Sequence, residues 1–207
     1  MTGLRERKKL ETRQHIAAVA ARLFAEHGFE QVTVDQVAAA ADVAKKTVFN
    51  YFPTKEDLVF DRAEAREQGL VALVRERPPG TSVVATFRSQ LETFLDKMAQ
   101  REPGFQRGSV VELASTSPAL QRRGLEIRER QARVLAEELA ADSGQPEWDP
   151  IAHMVARTML AAHRSVFLEM HRQLGLGASP AEAVAAARSY IPRLFDLLEH
   201  GLADYPA

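Results

Sequence analysis

Residues 33–55, TVDQVAAAADVAKKTVFNYFPTK, decide the fold. Thr33 offers an N-cap oxygen to a short helix, Val34 to Ala40, and Gln36 is placed to complete its first turn. Asp42 stands where the chain must turn, and Asp is among the few non-glycine residues that accept left-handed backbone angles. A second short helix, Lys45 to Phe52, is stopped by Pro53, which pushes the residue before it out of helical geometry. Two short helices around a tight turn make a helix-turn-helix layout. At about 100° per residue, Val48 centres the buried face of the second helix with Ala44 and Phe52 beside it. Lys46 and Asn50 then point away from that face, flanked by Thr47 and Phe49. An outward face of Lys, Thr, Phe and Asn suits a major groove: Asn pairs with adenine, Thr and Phe meet a thymine methyl, and Lys reaches guanine or phosphate. Tyr51 and Lys55 close this helix and open the next segment, where hydroxyl, ammonium and backbone N–H groups hold phosphates. The plainer alternative puts Phe49 and Tyr51 in the core of a helical bundle.

Outward from this stretch, apolar periodicity reads as helix nearly everywhere. Ile16, Val19, Ala20, Leu23 and Phe24 make one apolar stripe on a helix from Leu4 to Glu26, which Gly28 ends. Thr54, with Asp57 as the acid near its start, caps a fourth helix expected to continue to Arg75. The Pro- and Gly-rich residues 77–81 form the clearest break in the chain. Helices are expected from Ser82 to Gln100, from Ser109 to Ser115, from Pro118 to Ala141, from Pro150 to Leu174 and from Pro180 to Leu202. Loops separate them at 102–108, 143–150 and 175–179, and Pro192 is expected to kink the last helix near its middle. The fold class is all-α with about nine helices. A helix-turn-helix domain spans 1–54 and a larger helical domain 55–207.

The 207 residues are 45% hydrophobic and 27% charged, an ordinary globular mix that excludes disordered, collagenous and membrane-spanning classes. With no cysteine, the chain has no disulfide, zinc-thiolate site, iron-sulfur cluster or thiol nucleophile. The charged start never reaches an uninterrupted apolar run, so neither a signal peptide nor an anchor is expected, and a cytoplasmic setting fits. The net charge of −1 hides an asymmetry: residues 1–55 carry nine Lys or Arg against six acids, and the remainder is net −4. The cations cluster at Arg5–Arg13 and at Lys45–Lys55, the footprint that phosphate binding wants, although a solvated helix face is the plainer reading of charge runs alone.

The runs ThrValAspGlnValAla, AlaAspValAlaLysLysThrValPheAsnTyrPhe and ProThrLysGluAspLeu, preceded by LeuPheAlaGluHisGlyPheGlu, resemble the DNA-binding domain of the TetR family of bacterial transcriptional regulators. The resemblance covers roughly residues 8–60. It implies an all-helical fold, a C-terminal ligand-binding and dimerisation domain, and a homodimer on a palindromic DNA operator, most commonly as a repressor. It makes Lys45, Lys46, Thr47, Phe49 and Asn50 groove-facing, with Ala44 at the head of their helix. Thr33, Tyr51 and Lys55 become phosphate clamps, and Lys8 and Lys9 a supporting arm. The sequence departs from the family pattern at Asp42, where Gly is usual, and at Ala44, where Ser or Thr is usual. Asp42 can still make the turn, while Ala44 loses a hydroxyl that caps the helix or touches phosphate.

The C-terminal body is read from pattern. Ala156, Ala161, Ala162 and Ser165 interleave with Val155, Met159 and Val166, while Ile191, Leu194, Phe195, Leu198 and Leu202 repeat on the last helix. The resemblance implies that these two helices pair with their counterparts in a dimer; the alternative is packing within one chain. Phe87, Leu91, Phe94, Met98, Phe105, Trp148, Met154, Met159, His163 and Phe167 are candidates to line a pocket for a largely apolar small-molecule effector, against plain core packing. His153, His163 and His171 are too far apart along one helix to share a metal and are read as surface or pocket polar groups. The fourth helix is expected to couple body to head. No cofactor, metal or membrane partner is expected. Enzymatic activity is not expected either, since there is no HExxH, no P-loop and no Glu three residues before any histidine. The rival non-enzymatic reading is a helical interaction adaptor with a vestigial helix-turn-helix.

Overall fold

The computed structural model describes residues 3–100, 113–114 and 117–201. The expected loop at 102–108 with Phe105, most of the short helix at 109–115, and Leu202 lie outside the described residues. Among the described residues there are nine α-helices and no strand. They are α1 (Leu4–His27), α2 (Val34–Ala40), α3 (Lys45–Tyr51), α4 (Ala63–Arg75), α5 (Val83–Ala99), α6 (Pro118–Asp142), α7 (Pro150–Gly175), α8 (Pro180–Ser189) and α9 (Ile191–His200). A single 3-10 turn, Glu56–Leu58, precedes α4.

The chain packs into two compact units. One gathers the described residues of Met1–Glu64 and Gln106–Ile127, the other those of Ala65–Phe105 and Arg128–Ala207. The first unit is thus drawn more widely than the sequence division at Lys55. Its core joins Ile16, Ala20 and Phe24 of α1 to Val37 of α2, Val48 of α3, Phe52, Leu58 and Leu120, all nearly without solvent contact. Burial of each large apolar side chain here contributes about 1.5–3 kcal/mol. The turns are encoded locally. Gly28 leaves α1 at φ 82° with its N–H on the Phe24 carbonyl. Thr33 and Gln36 form a reciprocal capping box, and Asp42 takes φ 52° in the turn before α3.

One expectation is corrected after α3. Thr54 and Asp57 do cap each other, Thr54 N–H donating to Asp57 Oδ2 at 3.0 Å and Asp57 N–H to Thr54 Oγ1 at 3.3 Å. They head only the 3-10 turn, and α4 starts afresh at Ala63 instead of running on from Thr54. Leu58 and Val59 are both buried and Phe60 packs on the same core. Three consecutive apolar residues cannot share one face of an α-helix at about 100° per residue, so the backbone breaks to seat them all.

In the second unit, α5 is capped by Ser82 and α7 by Asp149, whose carboxylate accepts the N–H groups of Ile151 and Ala152. Ser179 and Glu182 form a second capping box at α8, with Pro180 at the first helical position. Phe87, Leu91 and Leu95 of α5, Met159, Val166 and Met170 of α7, Ala183 and Ala187 of α8, and Ile191 and Phe195 of α9 make its core. The expected single helix over 180–202 is two: it is interrupted at Tyr190 and restarts as α9. Pro192 goes beyond kinking it, because it has no N–H for the Arg188 carbonyl and is accepted only in the first turn of a new helix.

Candidate nucleic-acid interface

With seven residues, α3 is too short to hold its own shape in water, so its orientation comes from what grips its ends. Val48 is buried, whereas Lys45, Lys46, Phe49 and Asn50 are exposed and Thr47 is half-buried. Phe49, at 42% exposure, is therefore a surface residue of the helix and not a core one. Ala44 is the N-cap and supplies no side-chain hydrogen bond, as its missing hydroxyl dictates. Lys45 Nζ reaches Asp35 Oδ2 of α2 at 2.8 Å, an exposed pair that water or phosphate can replace at little cost.

The other end of α3 is gripped by Arg13 of α1. Its Nη1 donates to the Tyr51 carbonyl and its Nη2 to the Asp61 carbonyl, each at 3.0 Å, with the guanidinium 4.7 Å from the Phe52 ring centre. Arg13 had counted only as one cation of a basic run; its partners lie 38 and 48 residues away, and no local pattern announces them. Tyr51 is half-buried against the core of the unit.

Lys55, expected as a phosphate clamp, turns inward. Its ammonium donates to the Phe29 and Val32 carbonyls at 3.0 and 3.2 Å and lies 4.1 Å from the Phe29 ring centre. Thr33 likewise uses its hydroxyl within the capping box, donating to Gln36 Oε1 at 3.0 Å and accepting the Gln36 N–H at 3.3 Å. Lys8 and Lys9 stay exposed on α1, with Arg5 and Arg7 beside them. The first unit therefore presents exposed cations on α1 and α3 and an apolar and amide surface on α3 between Lys46 and Tyr51, chemistry that suits a polyanion with readable edges.

Residues 16–61 match the family described as bacterial regulatory proteins, tetR family, and this is the stretch whose geometry has just been given. That stretch is similar to the DNA-binding domain of the TetR family. It is 30% identical to the HTH-type transcriptional regulator TcmR of Streptomyces glaucescens over 142 residues, 65% of this chain and 63% of TcmR. The chain thus spans less than two thirds of that relative's length. It is 29% identical to the putative mycofactocin biosynthesis transcriptional regulator MftR of Mycobacterium tuberculosis over 199 residues, 95% of this chain and 93% of MftR. Among solved structures, GusR of Salmonella enterica superposes with a TM-score of 0.58 over 93% of this chain and 96% of that one. At 22% identity that likeness shows the fold. TcmR and MftR are both named as transcriptional regulators.

The residues expected to line an effector pocket fall into two groups. Phe87, Leu91 and Met159 are buried, and Phe94, Met98, His163 and Phe167 half-buried, around the α5 and α7 core. The Phe94 and Phe167 rings lie 6.2 Å apart. His163 Nε2 donates to the Phe87 carbonyl at 3.1 Å; burial pushes its pKa down, the hydrogen bond draws it up, and nearby Arg66 lowers it again. Trp148 and Met154, by contrast, are 72% and 62% exposed and enclose no cavity. Trp148 precedes α7 and rests its ring on His153, 4.1 Å between centres, while Met154 faces outward on α7. His153, read from sequence as a surface or pocket polar group, is buried.

An open cavity of about 450 Å³ lies elsewhere, over the 77–81 linker beside Val74 and Asp142. Arg77 braces it by donating to Asp142 Oδ2 at 2.7 Å and to the Val74 and Thr81 carbonyls at 3.1 and 3.2 Å. Asp196, Glu199 and His200 bring their ligand atoms within 4.8 Å of one another on α9, as one exposed helical turn of polar residues does without a metal.

No helix among the described residues is long and apolar enough to cross a membrane.

Proposed function

We propose that this TetR-family regulator binds a palindromic DNA operator as a homodimer and acts as a repressor released by a largely apolar small-molecule effector. The observation that carries the reading is the surface of α3: Lys45, Lys46, Phe49 and Asn50 stand outward on a helix whose C-terminal end is held by Arg13. Lys45, Lys46, Thr47, Phe49 and Asn50 enter the major groove, Asn50 reading a base edge, with Ala44 at the groove's rim and Tyr51 and Thr33 near the phosphates. Lys8 and Lys9 add phosphate contacts from α1. As a regulator of bacterial DNA it works in the cytoplasm.

One recognition helix reads a half-site, so two copies must be held about one helical turn of DNA apart, or a multiple of it. An outward stripe on α7 supports self-pairing. Ile151, Met154, Thr158, Ala161, Ser165 and Leu168 are all exposed, at alternating spacings of three and four. The Thr158 and Ser165 hydroxyls bond the Met154 and Ala161 carbonyls, so this small-residue surface can be covered without stranding a donor. Of the α7 residues first assigned to the dimer, Ala156, Met159, Ala162 and Val166 are buried in the chain's own core and Val155 packs partly against it, leaving Ala161 and Ser165 for the partner; on α9, Ile191 and Phe195 are buried and Leu194 and Leu198 half-buried. The effector enters at the half-buried Phe94, Met98 and Phe167, with His163 as its polar neighbour.

Mobility-shift titration of the chain on fragments from around its own gene, against random duplex, tests the proposal. One retarded fragment with a two-fold repeat is expected. For Asn50→Ala the preference for that fragment falls by about 1–3 kcal/mol while random DNA is bound as before; equal losses on both would remove Asn50 as a base reader.

A further inference from the structure

The turn that follows α3 is gripped by a residue far outside the helix-turn-helix. Asp57 uses both carboxylate oxygens: Oδ2 accepts from the Thr54 N–H at 3.0 Å and the Thr54 hydroxyl at 2.9 Å. Oδ1 accepts from Nε and Nη2 of Arg123 at 2.9 and 2.7 Å, 66 residues along the chain. The remaining Nη1 of Arg123 donates to Glu126 at 2.9 Å, so this guanidinium is fully oriented by its own unit. Nearby, the buried Ser117 hydroxyl donates to Glu30 in the turn between α1 and α2. Leu113 and Leu120 lie in the same apolar core as Val48 and Phe52. The side chains of Asp57 and Arg123 keep only 15% and 32% of their exposure, so their attraction is less screened than that of a surface pair.

We propose that Arg123 is a positioning residue for DNA reading: through Asp57 it fixes the Pro53–Thr54 turn and with it the pitch of α3, making the start of α6 a working part of the reading head. The inference rests on the proposed operator binding. Its physical basis is the asymmetry of α3. The N-terminal end has no side-chain cap at Ala44 and only an exposed ion pair at Lys45. Orientation therefore depends on the C-terminal end, where Arg13 holds the last carbonyl and the Arg123–Asp57–Thr54 chain holds the turn beyond it. Side chains that read base edges must be held to about 0.5 Å and 10–20°. Release of that turn disturbs the geometry on which Asn50 and Lys46 depend without removing any group that touches DNA.

The test uses the full chain with Arg123→Gln, Arg123→Lys, Asp57→Asn and the Asp57→Asn/Arg123→Gln double variant, on the retarded fragment and on random duplex. Arg123→Gln is expected to lose operator affinity on the order of tenfold, with the double variant no worse than the single and Arg123→Lys recovering part of the loss. The slope of log affinity against log salt stays as in wild type, because no phosphate contact is removed. In the free protein, amide hydrogen exchange speeds up at Thr54–Leu58 while the unfolding midpoint stays close to wild type. A slope reduced by about one unit would make Arg123 a direct phosphate ligand and overturn the proposal. So would unchanged affinity and exchange, or an exchange increase spread over the whole unit. A wild-type chain that retards no DNA removes the operator reading, and the exchange data, which need no DNA, then separately keep or remove the clamp.

Discussion

Arg13 Nη1 donates to the carbonyl of Tyr51, the last residue of α3, across 38 residues of sequence. The last carbonyls of a helix have no partner within it and carry the negative end of its dipole, so a cation there is doubly favoured. The same guanidinium caps the Asp61 carbonyl and covers the Phe52 ring. Arg13→Ala is expected to cost about 2–3 kcal/mol, combining charged hydrogen bonds with cation–π contact. Arg13→Lys should recover less than half, because one ammonium cannot reproduce the planar fork. Urea unfolding measures both, and a loss under about 0.5 kcal/mol for Arg13→Ala would make the grip on α3 irrelevant to stability.

Lys55 makes a prediction opposite to the one its sequence position suggests. A phosphate clamp, once removed, weakens binding to all DNA and lowers the salt slope by about one. The observed ammonium instead holds the Phe29 and Val32 carbonyls and faces the Phe29 ring. Lys55→Ala is therefore expected to destabilise the fold by about 1.5–3 kcal/mol while the salt slope stays as in wild type. A stable variant with a reduced slope would return Lys55 to the DNA surface.

His163 gives the second unit a pH dependence. Its folded pKa is pushed below the ordinary 6.5, first by burial, against the Phe87 hydrogen bond and with help from Arg66. Between the folded value and about 6.5 the unfolded chain binds more protons than the folded one, so stability falls as the pH drops through that window. Above it the imidazole is neutral in both states and this contribution is complete. Urea titrations across the window should show a shallower pH slope for His163→Gln than for wild type. Imidazole NMR should place the His163 midpoint under about 6.5, and a midpoint above that would reverse the sign.

The difference between Thr33 and Lys55 shows what could be read from sequence. The Thr33–Gln36 box and the Asp42 turn each depend on residues within one helical turn, and both are present in the structure. The outward face of α3 was legible for the same reason, since period and the burial of Val48 settle it. Lys55, Arg13 and Arg123 are long side chains whose destinations are set by carbonyls and carboxylates 23 to 66 residues away. From sequence, Lys55 reads as a phosphate clamp and Arg13 as one cation of a basic run, and Arg123 has no assigned role. The break before α4 escaped because Leu58, Val59 and Phe60 each find core space that only the folded unit defines. Trp148 escaped likewise: an aromatic residue reads as core until its loop is seen to hold it outside.

The α7 stripe predicts the effect of a single charge. Ala161 lies near its middle, exposed, with Thr158 and Ser165 on either side, so two copies of α7 can approach closely there. Ala161→Glu would bring two carboxylates into the covered centre of a two-fold interface, a cost of about several kcal/mol that an exposed monomer does not bear. Sedimentation should show wild type as a dimer and Ala161→Glu as a monomer with unchanged helix content. Operator affinity should drop steeply, because one recognition helix reads only one half-site. The same charge at Ser89, exposed on α5 and not on the α7 stripe, should leave the dimer intact. If Ala161→Glu remains dimeric and binds DNA as wild type does, the chain pairs through another face, and the alternating exposure of Ile151, Met154, Thr158, Ala161, Ser165 and Leu168 has another cause.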